Sequence, residues 1–357
     1  MVVLGTRPEI VKLAHIARIL GDDGVVVHTG QHYDSGLSGS FFEQLRLPEP
    51  EVFLEIGGES RGRQIGLAVT ALDEVFGERR PAAVVVQGDT NTVLAAALAA
   101  NAREIPVVHV EAGLRSNDRR MPEEHNRVVT DHLADLLLAP TETSRSNLLA
   151  EGLPDERIVV TGNTVVEAVG ELMPGADERQ ALATSFGVTP GKFVLSTFHR
   201  PENVDDPDTL ETILVQLAAL PLPVLLPLHP RAVARVASAG LESLLDQIKV
   251  VEPIGYREFL GLGAVSAFLV SDSGGVQEEV SVYKRPVLVV RRSTERPEVI
   301  GTFAERVEPG PDISRVAGGW AADLDGVHAR LAETPSPYGD GSASHRSVEA
   351  IKDLIDA

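Results

Sequence analysis

Residues 264–279 read AVSAFLVSDSGGVQEE: an apolar run, a turn of small polar residues, then the opening of a helix. A short apolar run that stops at a Ser, Asp and Gly cluster is the mark of a strand buried on both faces. The same succession recurs along the chain. Apolar strands near 2–4, 25–28, 83–87, 107–110, 136–139 and 158–160 alternate with amphipathic segments at 9–20, 61–77, 91–103, 123–134 and 142–151. A second series has strands near 193–197, 223–228, 248–251, 265–270 and 286–290. Such alternation builds parallel α/β sheets with helices on both faces. At 357 residues the chain is longer than one core supports comfortably, so two doubly wound, Rossmann-like parallel-sheet domains with a cleft between them are expected. "MPGADERQ" (173–180) reads as the connection between them, giving domains 1–170 and 171–344. The tail, "SASHRSVEAIKDLIDA", reads as an amphipathic helix over 345–357.

Charge and composition exclude several classes of function. The net charge of −20 repels nucleic acid and anionic membranes, because phosphate backbones are bound by clustered Lys and Arg. No apolar run approaches the length of a bilayer span. There is no cysteine, hence no disulfide framework, thiolate nucleophile or Cys-ligated zinc. "MVVLGTRPEIVK" has no basic segment followed by a long apolar stretch, so a cytoplasmic protein is expected.

Ligands of open α/β sheets bind at loops beyond the strand C-termini. The polar clusters fall there: "GTRPE" (5–9), "TGQHYD" (29–34), "GDTNT" (88–92) and "EAGLRS" (111–116) in the first series, "FHRPEN" (198–203), "LHPR" (228–231) and "SDSGG" (271–275) in the second. Asp272-Ser273-Gly274-Gly275 resembles the nucleophile loop of a trypsin-like protease, but that chemistry needs an antiparallel barrel with a placed His and Asp. "GESRG" (58–62) matches a nucleophile elbow, yet Ser60 is read more simply as a helix N-cap. As a phosphate cradle, 271–279 offers the free N–H groups of a first helical turn, the Ser273 hydroxyl, and glycines that permit close approach. Glu279, one turn further on, is then placed for ribose hydroxyls.

Arg7 and Lys12 surround another strand-to-helix turn, with Pro8 suited to the first helical turn. Neither a Walker loop nor a G-x-G-x-x-G fingerprint is present. Asp89 and Glu111 end apolar strands, while Glu123 and Glu124 open a helix. Carboxylates gathered in one desolvated cleft are driven apart in pKa, leaving one as base and another as acid. His199 and His229 follow strands beside Arg200 and Arg231 and suit a phosphate. No H-E-x-x-H or similar spacing occurs, so neither a catalytic metal nor a cofactor is expected.

Together, "GTRPEIVK", "TGQHYD", "GDTNT", "HVEAGLRS", "PEEHNR", "TETSRSNLL", "TGNTVVEAV", "FHRPENV", "SDSGGVQEE", "TERPE" and "PYGDGSAS" resemble, in that order and over nearly the whole chain, the non-hydrolysing UDP-N-acetylglucosamine 2-epimerase family. The resemblance implies a GT-B-like fold whose C-terminal helix returns to the first domain, and a homodimer. It implies UDP on the second domain: Ser273, Gly274, Gly275 and Arg200 near the diphosphate, Glu279 on the ribose, Ile254 and Phe259 bordering uracil. Arg7, Lys12, His199 and Arg296 would complete the polar site, with Asp89, Glu111 and Glu123 as acid and base candidates and His199 facing the departing UDP. The implied reaction is C2 epimerisation through 2-acetamidoglucal. Alternatives are a 2-epimerase of UDP-2,3-diacetamido-glucuronic acid, a hydrolysing epimerase and a GT-B glycosyltransferase. Two departures, Tyr33-Asp34 after "TGQH" and "LHPR" for His-x-Asn-Pro, speak against the activating second substrate site of regulated members. Fewer residues than usual precede Gly5-Thr6-Arg7, which points to a clipped start.

Overall fold

The computed structural model describes residues 1–31, 42–228 and 230–356. His32, Tyr33, Asp34 and His229 of the motifs above lie outside them. The chain forms two compact units, Met1–Glu171 with Tyr338–Ala357, and Leu172–Pro337.

Among the described residues the first unit is built on seven parallel strands: β1 (Val2–Leu4), β2 (Val26–His28), β3 (Val52–Phe53), β4 (Val84–Gln87), β5 (Val107–Val110), β6 (Leu136–Ala139) and β7 (Ile158–Val160). Their order is β3-β2-β1-β4-β5-β6-β7, a Rossmann-like pattern with its topological switch between β1 and β4. Val and Leu dominate the central strands because both faces are covered by helices. The helix Asn91–Ala102 buries Ala95, Ala96, Ala97, Ala99 and Ala100, and these small side chains let it approach its neighbours closely. Thr90 starts that helix by accepting a hydrogen bond from the Val93 N–H at 3.3 Å. The C-terminal helix Ala343–Asp356 packs on the helix Arg7–Leu20.

Among the described residues the second unit has six parallel strands: β8 (Val194–Thr197), β9 (Val224–Pro227), β10 (Lys249–Val251), β11 (Phe268–Ser271), β12 (Val287–Val290) and β13 (Ala304–Val307). The order β10-β9-β8-β11-β12-β13 repeats the same winding, with its switch between β8 and β11. In its core the Phe268 and Trp320 rings meet edge to face, 5.8 Å between centroids.

Five features differ from the sequence reading. β3 and β13 were not expected: the first is two residues long, and the second, "AERV", is an edge strand that exposes Glu305 and Arg306 and so lacks an apolar run. "MPGADERQ" is a connection only as far as Gly175; the helix Ala176–Ser185 follows, charged because Ala183 alone is buried. Residues 338–344, expected in the second domain, belong with the first, where buried Tyr338 accepts from the Asn163 N–H at 2.9 Å. Ser60 occupies an N-cap position, but its side chain makes no capping bond. Among the described residues no helix is long and apolar enough to cross a membrane.

Candidate active site

Glu111 leaves the end of β5 in the left-handed region, φ 69°. For a residue with a Cβ this conformation costs on the order of 1–2 kcal/mol, so the surroundings must impose it. They do so by anchoring the main chain at this point: the N–H groups of Glu111 and Ala112 both donate to the Leu138 carbonyl, at 3.0 and 3.1 Å. Two residues on, Gly113 has φ 83°, and a Cβ there would lie 2.3 Å from the Ser144 carbonyl oxygen. The turn delivers the Glu111 carboxylate to buried Lys12, whose Nζ donates to its two oxygens at 2.8 and 2.7 Å, and to the Gln87 amide. A buried carboxylate so matched by an ammonium avoids most of the cost of isolated burial.

Asp89 follows β4, the strand beside β5. Arg127 donates to its carboxylate, and Asn126 Nδ2 to its main-chain carbonyl at 2.8 Å. Both come from the helix Pro122–Leu133, which also separates the paired glutamates. Glu124 is buried and accepts from the Ser116 N–H (3.0 Å) and hydroxyl (2.8 Å), the Asn117 N–H (2.8 Å) and Arg127. It is therefore a strap for the 116–117 loop. Glu123 is half-buried, and its side chain makes no hydrogen bond or ion pair among the described residues. Arg7 and Lys12 have different surroundings: Lys12 faces Glu111, while Arg7 is exposed at the first position of its helix.

Sequence reasoning passed over Glu9, which is buried beside this cluster and accepts from the Gly5 N–H at 3.0 Å and the Thr90 hydroxyl at 2.8 Å. Burial raises its pKa from 4.5 to about 7 against the lowering effect of these bonds. A folded pKa above the unfolded one gives stability that is complete below the unfolded value and declines as pH rises to the folded one. Stability is thus expected to fall by on the order of 3 kcal/mol between about pH 4.5 and pH 7 through this group. Glu9→Gln should abolish that slope and be the more stable protein at pH 8, as urea melts at pH 5 and pH 8 would show; parallel pH dependence in both proteins would refute it.

In the second unit the sequence motifs converge on a residue to which no role was given. Asp272, fully buried at the end of β11, accepts from the His199 N–H (3.1 and 3.2 Å), the Arg200 N–H (3.0 Å) and Asn203 Nδ2 (3.1 Å). His199 Nδ1 stands 3.0 Å from Oδ1, and Arg200 Nε donates to the Asp272 carbonyl at 3.0 Å. Burial alone would raise the Asp272 pKa, but His199, Arg200 and Asn203 together hold it below 3.8. The aspartate thereby orients the loop after β8 across the switch point, leaving the His199 side chain 58% exposed.

Ser273 is the N-cap of the helix Gly274–Tyr283, its side chain forms no cap bond, and no acidic residue lies in the first turn. The N–H groups of such a turn point outward and favour an anion. A Cβ on Gly275 would stand 3.4 Å from a Glu279 oxygen, so this glycine, Ser273 and Glu279 line one surface. Gly274 instead admits Arg296, whose Nη1 would lie 2.7 Å from a Cβ there. Arg296 is clamped by Glu278, at 2.7 Å, and Glu295. Glu279 accepts from the Tyr256 hydroxyl at 2.9 Å; burial and this carboxylate raise the Tyr256 pKa well above its ordinary value. Ile254 lies in the loop that enters the helix Tyr256–Val265, and Phe259 in that helix's first turn; both are half-buried. The two adjacent acids thus make different contacts: Glu278 locks Arg296, and Glu279 lines the turn beside Tyr256.

A family model described as UDP-N-acetylglucosamine 2-epimerase matches residues 21–352. The UDP-N-acetylglucosamine 2-epimerase of Methanocaldococcus jannaschii is 42% identical over 362 residues, 98% of this chain and 98% of that protein. The UDP-2,3-diacetamido-2,3-dideoxy-D-glucuronate 2-epimerase of Pseudomonas aeruginosa is 34% identical over 369 residues, 99% of each. A crystal structure of the Methanocaldococcus jannaschii UDP-GlcNAc 2-epimerase in complex with UDP-GlcNAc and UDP superposes with a TM-score of 0.87 at 38% identity, covering 99% of both chains. The fold is that of GT-B-like epimerases, two parallel-sheet α/β domains each of Rossmann-like pattern.

Proposed function

The chain belongs to the UDP-N-acetylglucosamine 2-epimerase family, and from that membership we propose that it interconverts UDP-N-acetylglucosamine and UDP-N-acetylmannosamine without hydrolysis. A base removes the C2 proton as the C1–O bond to UDP breaks, its electron pair leaving with the phosphate. The product is 2-acetamidoglucal with a C1=C2 double bond. UDP then adds back to C1 while an acid returns a proton to the opposite face of C2. One base and one acid are needed, and Asp89, Glu111 and Glu123 are the candidates. Lys12, paired with Glu111, moderates the charge of that carboxylate. Ser273, Gly274, Gly275 and Arg200 would hold the diphosphate and Glu279 the ribose hydroxyls. Ile254 and Phe259 would border uracil, with Arg7 and Arg296 completing the polar shell. His199, braced by Asp272, would stabilise charge on departing UDP.

The observation that carries this reading lies in the first unit. Asp89 and Glu111 end neighbouring strands, and Glu123 opens the helix that holds Asp89 through Asn126 and Arg127. Incubation in heavy water should place deuterium at C2 of both UDP-sugars. Accumulation of UDP and free N-acetylmannosamine would mark a hydrolysing enzyme, and absence of both exchange and product would end the proposal. The Pseudomonas aeruginosa relative supports a second reading, UDP-2,3-diacetamido-glucuronic acid as substrate, which a panel of UDP-sugars separates.

A further inference from the structure

We propose that His109 is a positioning residue: braced by Asp131, it donates from Nε2 to the Gly88 carbonyl and so fixes the peptide that leads into Asp89. The inference rests on the acid–base reading of Asp89 given above. His109 and Asp131 have no exposed surface. His109 Nδ1 lies 2.6 Å from Asp131 Oδ1 and Nε2 lies 2.8 Å from the Gly88 carbonyl oxygen. Carboxylate and carbonyl oxygens only accept, so the ring donates from both nitrogens. A side chain that merely filled space between β5 and its covering helix would be apolar, because burying a charged pair gains little stability over a hydrophobic one.

What the pair supplies is direction. Gly88 has φ 79°, a region where a glycine peptide rotates freely unless its groups are held. His109 holds its carbonyl, and the Gly88 N–H donates to the Val110 carbonyl at 3.1 Å. With both groups pinned, the Asp89 side chain leaves the strand end in one direction, where Arg127 meets it. Asp131 also accepts from Arg115 Nη1 at 2.7 Å and the Gly113 N–H at 3.2 Å, within the loop that begins at Glu111. Burial would raise the Asp131 pKa, but His109 and Arg115 bring it below its ordinary value, in keeping with a permanently charged brace. Because Asp131 sits on the helix that Glu123 opens, one residue connects the backbone supports of all three carboxylates.

A pair of substitutions divides the two bonds. Gln at 109 places its amide nitrogen where Nε2 stands and keeps a donor for Gly88; Asn reaches only to the position of Nδ1 and keeps the Asp131 bond alone. Each loses one buried bond, and Asn also leaves a small cavity, so the isotope effect, which lost packing alone does not move, separates positioning from a structural role. Positioning predicts that His109→Gln stays within about tenfold of wild-type kcat, whereas His109→Asn loses about 100-fold, the scale of a displaced catalytic group. The isotope effect on C2-deuterated substrate should rise in His109→Asn, with UDP affinity within about threefold of wild type in both. Equal kcat in the two variants, or an unchanged isotope effect in His109→Asn, would overturn the assignment. If neither variant folds, Asp131→Asn decides: a lower kcat with a raised isotope effect supports the brace, and wild-type values for both refute it. Exchange at C2 by the wild-type protein is measured first, so failure of the reaction itself is distinguished from failure of this assignment.

Discussion

Glu111→Gln is expected to lower kcat by about 1,000-fold while UDP still binds within about threefold of wild type. The carboxylate is buried, held by Lys12 at 2.7 and 2.8 Å, and presented from a left-handed backbone that ordinary packing would not select. An amide of the same shape retains one acceptor for Lys12 and loses the proton chemistry. It also leaves a buried ammonium without its counter-charge, which costs about 3 kcal/mol of stability and would by itself depress activity. The double variant Lys12→Met/Glu111→Gln separates the two effects: it should regain stability in thermal melts and remain inactive. Deuterium incorporation followed by NMR, with calorimetric titration of UDP, gives both readouts. A stably folded Glu111→Gln protein of undiminished kcat would remove Glu111 from the reaction.

Asp272→Ala should cost about 3–5 kcal/mol of unfolding free energy and weaken UDP binding more than tenfold. Its carboxylate accepts from the main chain of His199 and Arg200 and from Asn203; the alanine takes this acceptor from the part-buried His199 and Arg200 N–H groups, while Asn203 keeps only its bond to the Val290 carbonyl. Because its folded pKa is depressed, the stability it confers is complete above 3.8 and is lost as pH falls through the folded value. Denaturant melts at pH 7 therefore report the whole contribution. The binding loss arises because the loop bearing His199 and Arg200 depends on this acceptor for its orientation. Unchanged UDP affinity in a folded Asp272→Ala protein would show that the loop keeps its form without the aspartate.

Parallel α/β winding was legible because its central strands must be apolar on both faces, and runs such as "AVVVQ" and "AFLVS" have no other stable use in a chain of this composition. The edge strand β13 escaped because one side of it meets solvent and carries Glu305 and Arg306. The small-residue turn at 271–275 was likewise readable, since strand, turn and helix N-terminus impose their residue types locally. Within such motifs, neighbouring letters parted company. Successive helical residues point about 100° apart. Glu278 therefore reaches Arg296 while Glu279 meets Tyr256, and Glu124 straps a loop while the Glu123 side chain stays half-buried with no partner among the described residues.

The sequence by itself determined the winding of each sheet, the placement of polar loops after the strands and the family to which the motifs belong. These follow from short-range periodicity and from residue types that a turn or a strand end requires. Tertiary structure decided which charges meet: Lys12 with Glu111, Arg127 between Asp89 and Glu124, Asp272 beneath His199 and Arg200, Asp131 behind His109. Several of these partners stand many tens of residues apart in the chain. Their pairing depends on strand order and helix rotation, and the energy of a buried charge is set by whatever the fold places beside it.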